Sequence, residues 1–515
     1  FYDTMTGFQP CFCDNCTRLF GQSIPTSHED PRWLEYVAWY RARYDEFYAK
    51  TAREVHRANP DISIAFNWEW GIRRPVDPPP HITRIAADLI PTGTVASNLT
   101  HYFAGTGYPH DYMCGRFLHG LGDWNNSTRE TILYTAAATI ANGASFYLID
   151  RQLPDGSLQE RAYTMMKDVF GFVQQRRATL IGAVHTPELA VLLSHDHLMG
   201  DRLQYFPDSR ARKDRGEPFE GVSRMLMHHA RHYTAISTQT LARRVDEYGV
   251  IIVPETEYLD DAAVGVLTRY VENGGSLLLT QSPNEIGVDP RMLALAGVHH
   301  AGFSELTYMY FGDGDNEPLS ANGRWSLVKP TGDARELVPC ISPLKAGQGG
   351  AKFGHGKAPA DAYEGYAAVT ERAVGKGKII YVAMPAFGEY WRNQNPYVSN
   401  LILSLVDRLL PRPIARTNTR AQIEMVLLRN GANLVINFVN HSGRERLLGY
   451  WYPLIEYMPL IRDIPVAVRV DNRELTMRCE PSGKRVNYTV ADGYAHITLP
   501  ELEFMESIVV ENYFA

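Results

Sequence analysis

Tyr112-Met113-Cys114-Gly115-Arg116-Phe117-Leu118, then Ser127-Thr128-Arg129-Glu130 opening an alanine-rich run to Asn142-Gly143, then Ser145-Phe146-Tyr147-Leu148-Ile149-Asp150: this stretch reads strand, helix, strand. The outer segments are short apolar runs that end in polar residues. Ser127–Glu130 has the spacing of a capping box, in which a hydroxyl and a carboxylate satisfy the first backbone donors of a helix. Asn142-Gly143 is a helix stop, and a further helix is expected from about residue 159 to 176. A strand followed by a helix and a second strand argues for a parallel sheet.

The same alternation extends towards the start of the chain. Phe1–Asp3 reads as the end of a strand, so residues before Phe1 are expected. Trp33, Val37, Tyr40, Tyr44, Phe47, Tyr48 and Val55 recur at helical spacing up to about Ala58, and Asn59-Pro60 stops that helix. Ile62–Phe66 follows as a short buried strand. A loop with Pro75, Pro78, Pro79 and Pro80 leads to a short helix near residues 81–88, and Thr94–Ser97 reads as another strand. The strands of residues 1–180 suit an open sheet or part of a barrel. With three more strand–helix units before Phe1 the count would reach eight.

Towards the other end the pattern changes twice. Residues 185–411 read as an open, flavodoxin-like α/β layer. Its apolar strands are Glu188–Ser194, Gly249–Pro254, Leu277–Thr280 and Gly377–Ala383, and Leu259–Glu272 is a helix broken by Gly274-Gly275-Ser276. Residues 412–515 carry short alternating runs such as Ile423–Leu428 and Leu434–Val439, the mark of a β-sandwich. Three domains are also what 515 residues allow at about 100–200 residues each.

Composition narrows the function. The net charge is −7 with no long run of one sign, which excludes the basic footprint of a nucleic-acid binder. No stretch approaches the roughly 18–20 apolar residues of a membrane span, and no signal peptide is visible. The 29 Tyr, 20 Phe and 8 Trp suit either a large core or a site that stacks sugar rings. Gly375-Lys376-Gly377-Lys378 departs from the phosphate-loop pattern and reads as a hairpin turn.

In parallel α/β barrels the chemistry sits at the carboxyl ends of the strands. That rule selects Asp3, then Asn67, Trp68 and Glu69, then Asn98 and His101, then Arg116, His119, Asp123 and Trp124, and finally Asp150 and Gln152. Carboxylates, amides, Arg, His and Trp together are what a sugar pocket uses: two carboxyls for the glycosidic bond, polar groups for hydroxyls, an indole for a ring face. Asp3 is poor core material, because an unpaired buried charge is costly; otherwise it is a helix N-cap. Glu69, between Trp68 and Trp70, is either a general acid raised by apolar neighbours or the partner of Arg73 or Arg74. Cys11, Cys13 and Cys16 are either three thiolates of a structural zinc, with Cys114 or a residue beyond the chain as the fourth, or buried free thiols. Catalysis itself calls for no cofactor.

Together these segments resemble family 151 glycoside hydrolases, α-L-fucosidases and their relatives. Phe1-Tyr2-Asp3 with Cys11-Phe12-Cys13-Asp14-Asn15-Cys16 and Phe20 is similar to the opening signature of that group. So are Gly115-Arg116-Phe117 with His119 and Gly122-Asp123-Trp124, and Asp150-Arg151-Gln152-Leu153-Pro154-Asp155-Gly156. Asp246–Pro254 and Tyr270–Gly275 resemble the β-galactosidase trimerisation domain, and Leu434–His441 a strand of the C-terminal β-domain. A Cys-x-Cys-x-x-Cys run is also typical of family 42 β-galactosidases, where it helps hold a structural zinc.

The resemblance implies a (β/α)8 barrel in which Asp3 ends strand four, the position of the fucosidase nucleophile. It also implies a homotrimer and a glycoside or oligosaccharide substrate. The chain departs from the relatives at Ala96–His101, where they carry a Glu-rich stretch, and at Arg151, which interrupts their Asp-Gln pair. The acid/base role then falls to Glu69. The expected function is a retaining exo-glycosidase of α-L-fucosidase type. The alternatives are a β-galactosidase or arabinose-type enzyme on the same scaffold, and a non-catalytic sugar-binding or scaffold protein.

Overall fold

The computed structural model describes residues 11–27, 30–67, 70–72, 74–119, 123–199, 210–282, 288–312, 317–344, 352–353, 356–448, 452–470 and 474–515. The N-terminal part is a parallel sheet of β1 (Ile85–Leu89), β2 (His110–Gly115) and β3 (Ser145–Ile149), in register from Ile85 opposite His110 and from Asp111 opposite Ser145. A parallel bridge from Asn67 to Ala86 adds a fourth position on the β1 side. Its helices are α1 (Asp14–Phe20), α2 (Trp33–Ala58), α3 (Gly93–Thr106), α4 (Arg129–Ala141) and α5 (Glu160–Leu180).

The opening stretch folds as strand, helix and strand, but the expected Ser127–Glu130 capping box is displaced by one residue. Thr128 caps α4 by accepting from the backbone of Thr131, while the Ser127 N–H goes to the Arg116 carbonyl, and every residue from Thr131 to Ala141 is buried. A helix apolar on all sides must be enclosed. Here α3, α5, β3 and strand Asn433–Asn440 of the C-terminal part enclose it. Small residues set the spacing: a Cβ on Gly93 would sit 2.4 Å from the Tyr134 ring of α4, and one on Gly105 would sit 2.0 Å from the carbonyl oxygen of Ala235.

Two expectations fail together. The helix near 81–88 is in fact strand β1, and the strand at Thr94–Ser97 lies inside helix α3. Ile85-Ala86-Ala87-Asp88 has helical propensity, but both faces are occupied. Ile85 and Ala87 pack beneath the helices, while Ala86 meets Ala65 and Met113. Tertiary burial overrides local preference here. Phe1–Asp3 lies outside the described residues, and Ile62–Phe66 contributes only its last residue to a bridge.

In the middle of the chain, strands Thr234–Ser237, Leu189–Leu193, Val250–Val253, Ser276–Thr280 and Gly377–Val382 lie side by side and parallel. Numbered along the chain, this is the 2-1-3-4-5 order of flavodoxin-like sheets. Antiparallel strands between Val298 and Val374 extend the sheet on one edge, a feature the sequence reading did not anticipate. The C-terminal part has two larger antiparallel sheets and a separate two-stranded hairpin of Arg446–Leu448 with Tyr452–Leu454. Ile436 and Phe438 from one and Val466, Val468 and Ile497 from the other share a core.

At the carboxyl end of strand Val250–Val253, Glu255 is fully buried with φ of 45°. One of its oxygens accepts from the backbone N–H groups of Phe387 at 2.7 Å and Gly388 at 2.8 Å. Burial outweighs those two donors and pushes the carboxyl up from its ordinary 4.5 to about 8. The native protein therefore binds this proton more tightly than the unfolded chain does. Stability from this group is complete at low pH and declines as pH rises from about 4.5 to about 8, by roughly 1 kcal/mol per unit. Denaturant unfolding of wild type and Glu255→Gln between pH 5 and 8 checks this. The variant should show a flatter dependence, and parallel curves would contradict it.

Candidate active site

The carboxyl ends of the parallel strands bring one compact set of groups together. Arg116, directly after β2, is fully buried, and its backbone accepts from Ser127 at 2.7 Å. Its guanidinium donates to Asp150 at the end of β3 (2.5 Å), to Asn126 (2.6 Å), to the Trp124 carbonyl (3.4 Å) and to Gln159 (3.2 Å). It also lies 4.6 Å from the Phe117 ring centre. Four engaged donors fix the plane of the guanidinium and hence the carboxyl of Asp150. The other oxygen of Asp150 is buried and accepts no hydrogen bond among the described residues. Such a group is ready for a hydroxyl donor.

Around this pair the remaining candidates divide. Trp124 is half-buried with the Arg151 guanidinium 5.5 Å from its ring centre. Asp123 accepts from the backbone and side chain of Asn125 (2.9 and 3.1 Å), closing the local turn, while its second oxygen is buried with no hydrogen bond among the described residues. His119 and Gln152 are exposed. Asn67 is buried at its bridge to Ala86. Asp3, Trp68 and Glu69 lie outside the described residues.

Asn98 and His101 are corrections. Both are buried on helix α3 rather than at a strand end. Asn98 donates to Glu220 at 2.5 Å. His101 is held by the Tyr233 carbonyl (2.8 Å) and by Glu424 (2.7 Å), a residue of the C-terminal part. They belong to the packing between parts of the chain. The displaced strand also hid Asp88. It is half-buried near the carboxyl end of β1, on the face that carries Ala86 and Met113. The alternation of Ile85 and Ala87 with Ala86 and Asp88 is the signal that would have exposed it.

A second cluster lies at the start of α1. One sulfur from each of Cys11, Cys13 and Cys16 falls within 4.8 Å of the others, with Cys11 and Cys13 at 3.4 Å. The Tyr36 hydroxyl fixes this loop by bonding the backbone N–H and carbonyl of Cys11, each at 2.9 Å. Hydrogen bonds, chiefly from the Cys16 backbone, hold the Cys13 thiol below its ordinary value; burial and the neighbouring thiols push Cys16 up to about 12. Tetrahedral zinc with bonds of about 2.3 Å needs sulfurs about 3.8 Å apart, so the three thiols fit such an ion. Cys114 is not the fourth ligand: it sits in the apolar core on β2, and the described residues add no fourth group to the cluster.

The architecture is that of an α/β glycosidase fold with a β-rich C-terminal region. Residues 235–409 match the family model of the β-galactosidase trimerisation domain. No protein of curated function matches the chain in sequence. Among solved structures, α-L-fucosidase isoenzyme 2 from Paenibacillus thiaminolyticus superposes with a TM-score of 0.81 at 19% identity, over 99% of this chain and 76% of that one. A β-galactosidase from Bacillus circulans sp. alkalophilus gives 0.68 at 14% identity, over 97% and 77%. The β-galactosidase of the haloarchaeon Halorubrum lacusprofundi gives 0.60 at 15%, over 98% and 77%.

Removing the cation from the Arg116–Asp150 pair leaves a buried carboxylate unpaired, which costs about 3–5 kcal/mol. Arg116→Ala should therefore lower unfolding stability by that amount, whereas Trp124→Ala should stay within about 1 kcal/mol. Chemical denaturation of both variants checks the contrast, and an Arg116→Ala loss below about 1 kcal/mol would contradict it.

Proposed function

We propose that this protein is a retaining exo-glycosidase of α-L-fucosidase type, built on a (β/α)8 barrel of which β1–β3 are part. The observation that carries this reading is the Arg116–Asp150 pair at adjacent parallel strand ends, with a buried Asp150 oxygen that accepts no hydrogen bond among the described residues and with Trp124 beside it. The fold shared with the Paenibacillus fucosidase supports it. Arg116 positions Asp150, which takes a sugar hydroxyl, and Trp124 packs on the ring face. Asn67, Trp68, His119, Asp123 and Gln152 complete the pocket. Asp3 attacks the anomeric carbon while Glu69 donates a proton to the departing oxygen. Glu69 then takes a proton from water as the water displaces Asp3.

A second reading keeps the mechanism and changes the sugar. The trimerisation-domain match and the Bacillus circulans likeness favour a β-galactosidase. Hydrolysis of p-nitrophenyl α-L-fucoside, β-D-galactoside and α-L-arabinoside decides between them. Fucoside turnover that falls at least 10³-fold in Asp3→Asn, as loss of a covalent nucleophile requires, supports the first reading. Galactoside turnover with the same loss supports the second. An Asp3→Asn enzyme of near-wild-type activity overturns the assigned nucleophile, and no turnover on any glycoside leaves a sugar-binding or scaffold protein.

The trimerisation domain supports a homotrimer, and Cys11, Cys13 and Cys16 support a structural zinc outside the reaction. Sedimentation should give three chains per particle. Metal analysis should find about one zinc per chain, lost in Cys13→Ser with turnover in the remaining folded protein unchanged. A metal-free wild-type protein would return the three residues to free thiols.

A further inference from the structure

Strands Ala415–Arg416, Ile461–Arg469, Tyr494–Leu502 and Thr489–Ala491 turn one face away from the sandwich core. Along Tyr494–Leu502 the alternation is plain: Ala495, Ile497 and Leu499 are buried in the core, while His496, Thr498 and Pro500 point outward and are exposed. Residues of this sheet, the turn around Ser482, the segment from Lys484 to Thr489 and the end of helix Pro396–Leu409 line a groove of about 1360 Å³. Ligand pockets commonly hold about 300–1,000 Å³, so the groove has room for a chain of several sugar units.

Its charges are not balanced. Three acids line it, and each already has an arginine: Asp407 pairs with Arg231 at 2.8 Å, Glu501 with Arg462, and Glu506 with Arg176 at 3.6 Å. Burial further pushes the Glu506 carboxyl up to about 7, which reduces its negative charge near neutral pH. Besides Arg231, held by Asp407, three further cations line the groove, Arg416, Lys484 and Arg485. These three are exposed, and none has an acidic partner among the described residues. Arg416 is braced against the Tyr494 ring at 4.1 Å, which holds its charge at the groove wall. Asn418, Asn487 and Thr498 line the same groove and add amides and a hydroxyl.

An uncharged sugar chain is gripped chiefly by stacking on aromatic faces, and among the groove residues described Tyr488 is the one Phe, Tyr or Trp, with the His496 imidazole the one other ring. The Tyr488 hydroxyl is already committed, accepting from the Leu475 backbone at 2.8 Å. Unpaired cations together with amides suit a different ligand, one that presents carboxylates for the cations and hydroxyls for the amides. From this charge pattern we propose that the groove is a binding site for an acidic oligosaccharide, a polyhydroxylated chain bearing carboxylate groups. The site lies on the C-terminal sandwich, apart from the strand ends of β1–β3. Binding here does not depend on the hydrolytic reading. It gives the protein a hold on an acidic polymer while the barrel site acts elsewhere.

The test is calorimetric titration of the full-length protein with hexagalacturonate, with maltohexaose as the uncharged control and inorganic polyphosphate as the sugar-free anion. At low salt hexagalacturonate should bind and maltohexaose should not. Lys484→Ala/Arg485→Ala, and separately Arg485→Glu, should weaken hexagalacturonate at least tenfold, with turnover of a small aryl glycoside unchanged. The proposal is overturned by absent binding, by wild-type affinity in both variants, or by polyphosphate binding as tightly as hexagalacturonate. A change of sedimentation behaviour in the variants also overturns it, because the groove would then be a contact between copies of this chain.

Discussion

The carboxyl of Glu424 is the point on which the three parts of the chain converge. It is almost completely buried, at 1% exposure, and both oxygens are bound. One takes the Ser97 hydroxyl and faces His101 at 2.7 Å; the other faces His441 at 2.8 Å, whose far nitrogen meets the Tyr134 hydroxyl at 2.5 Å. His101 in turn bonds the Tyr233 carbonyl at 2.8 Å. A carbonyl only accepts, so that nitrogen of His101 carries its proton, and the bond to Glu424 needs a second one. The imidazole and the carboxyl therefore meet in one buried hydrogen bond. Burial alone would raise Glu424; the hydrogen bonds from His101 and His441 outweigh it and hold the carboxyl well below its ordinary range.

That constraint shapes its surroundings. Helix α3 supplies Ser97 and His101, α4 supplies Tyr134, the α/β layer supplies Tyr233, and the sandwich supplies Glu424 and His441. A charge held there makes further charge costly nearby. Burial first, and the neighbouring imidazoles second, push His232 down to about 3 and His185 well below its ordinary value, so both are neutral. As neutral groups they become hydrogen-bonding fillers: His185 faces Asn142 at 3.1 Å, and His232 faces the Thr186 carbonyl at 2.9 Å. The enclosed, all-buried α4 is possible because these polar contacts, rather than apolar contacts alone, fix its distance from the sandwich.

What the sequence made legible follows from the range of each interaction. Helices α2 and α4 are set by local periodicity and caps, and they fall where the residues place them. Strand β1 is set by neighbours distant in sequence, and its Ala-Ala core carries no strand signal of its own. Misplacing it moved two helix residues, Asn98 and His101, onto a supposed strand end and concealed Asp88. Their polarity was read as a ligand pocket, although it serves Glu220 and Glu424. Arg116 and Asp150 were legible because they directly follow strands whose positions were right. The antiparallel strands between Val298 and Val374 escaped because their irregular register, with several bulges between Arg335 and Pro343, breaks the period that marks a strand.

The strand-end set also limits how the chemistry can be divided. Asp150 gives one oxygen to Arg116, so it offers a ligand a single acceptor and a fixed direction. Asp123 gives one oxygen to its own turn. Both carboxyls are thus positioning groups by construction, held by neighbours that would have to let go before either moved. At the ends of β2 and β3 the remaining acceptor directions are therefore set by the fold itself. Asp88, half-buried on the face of β1 that carries Ala86 and Met113, is the carboxyl these two constraints leave untouched.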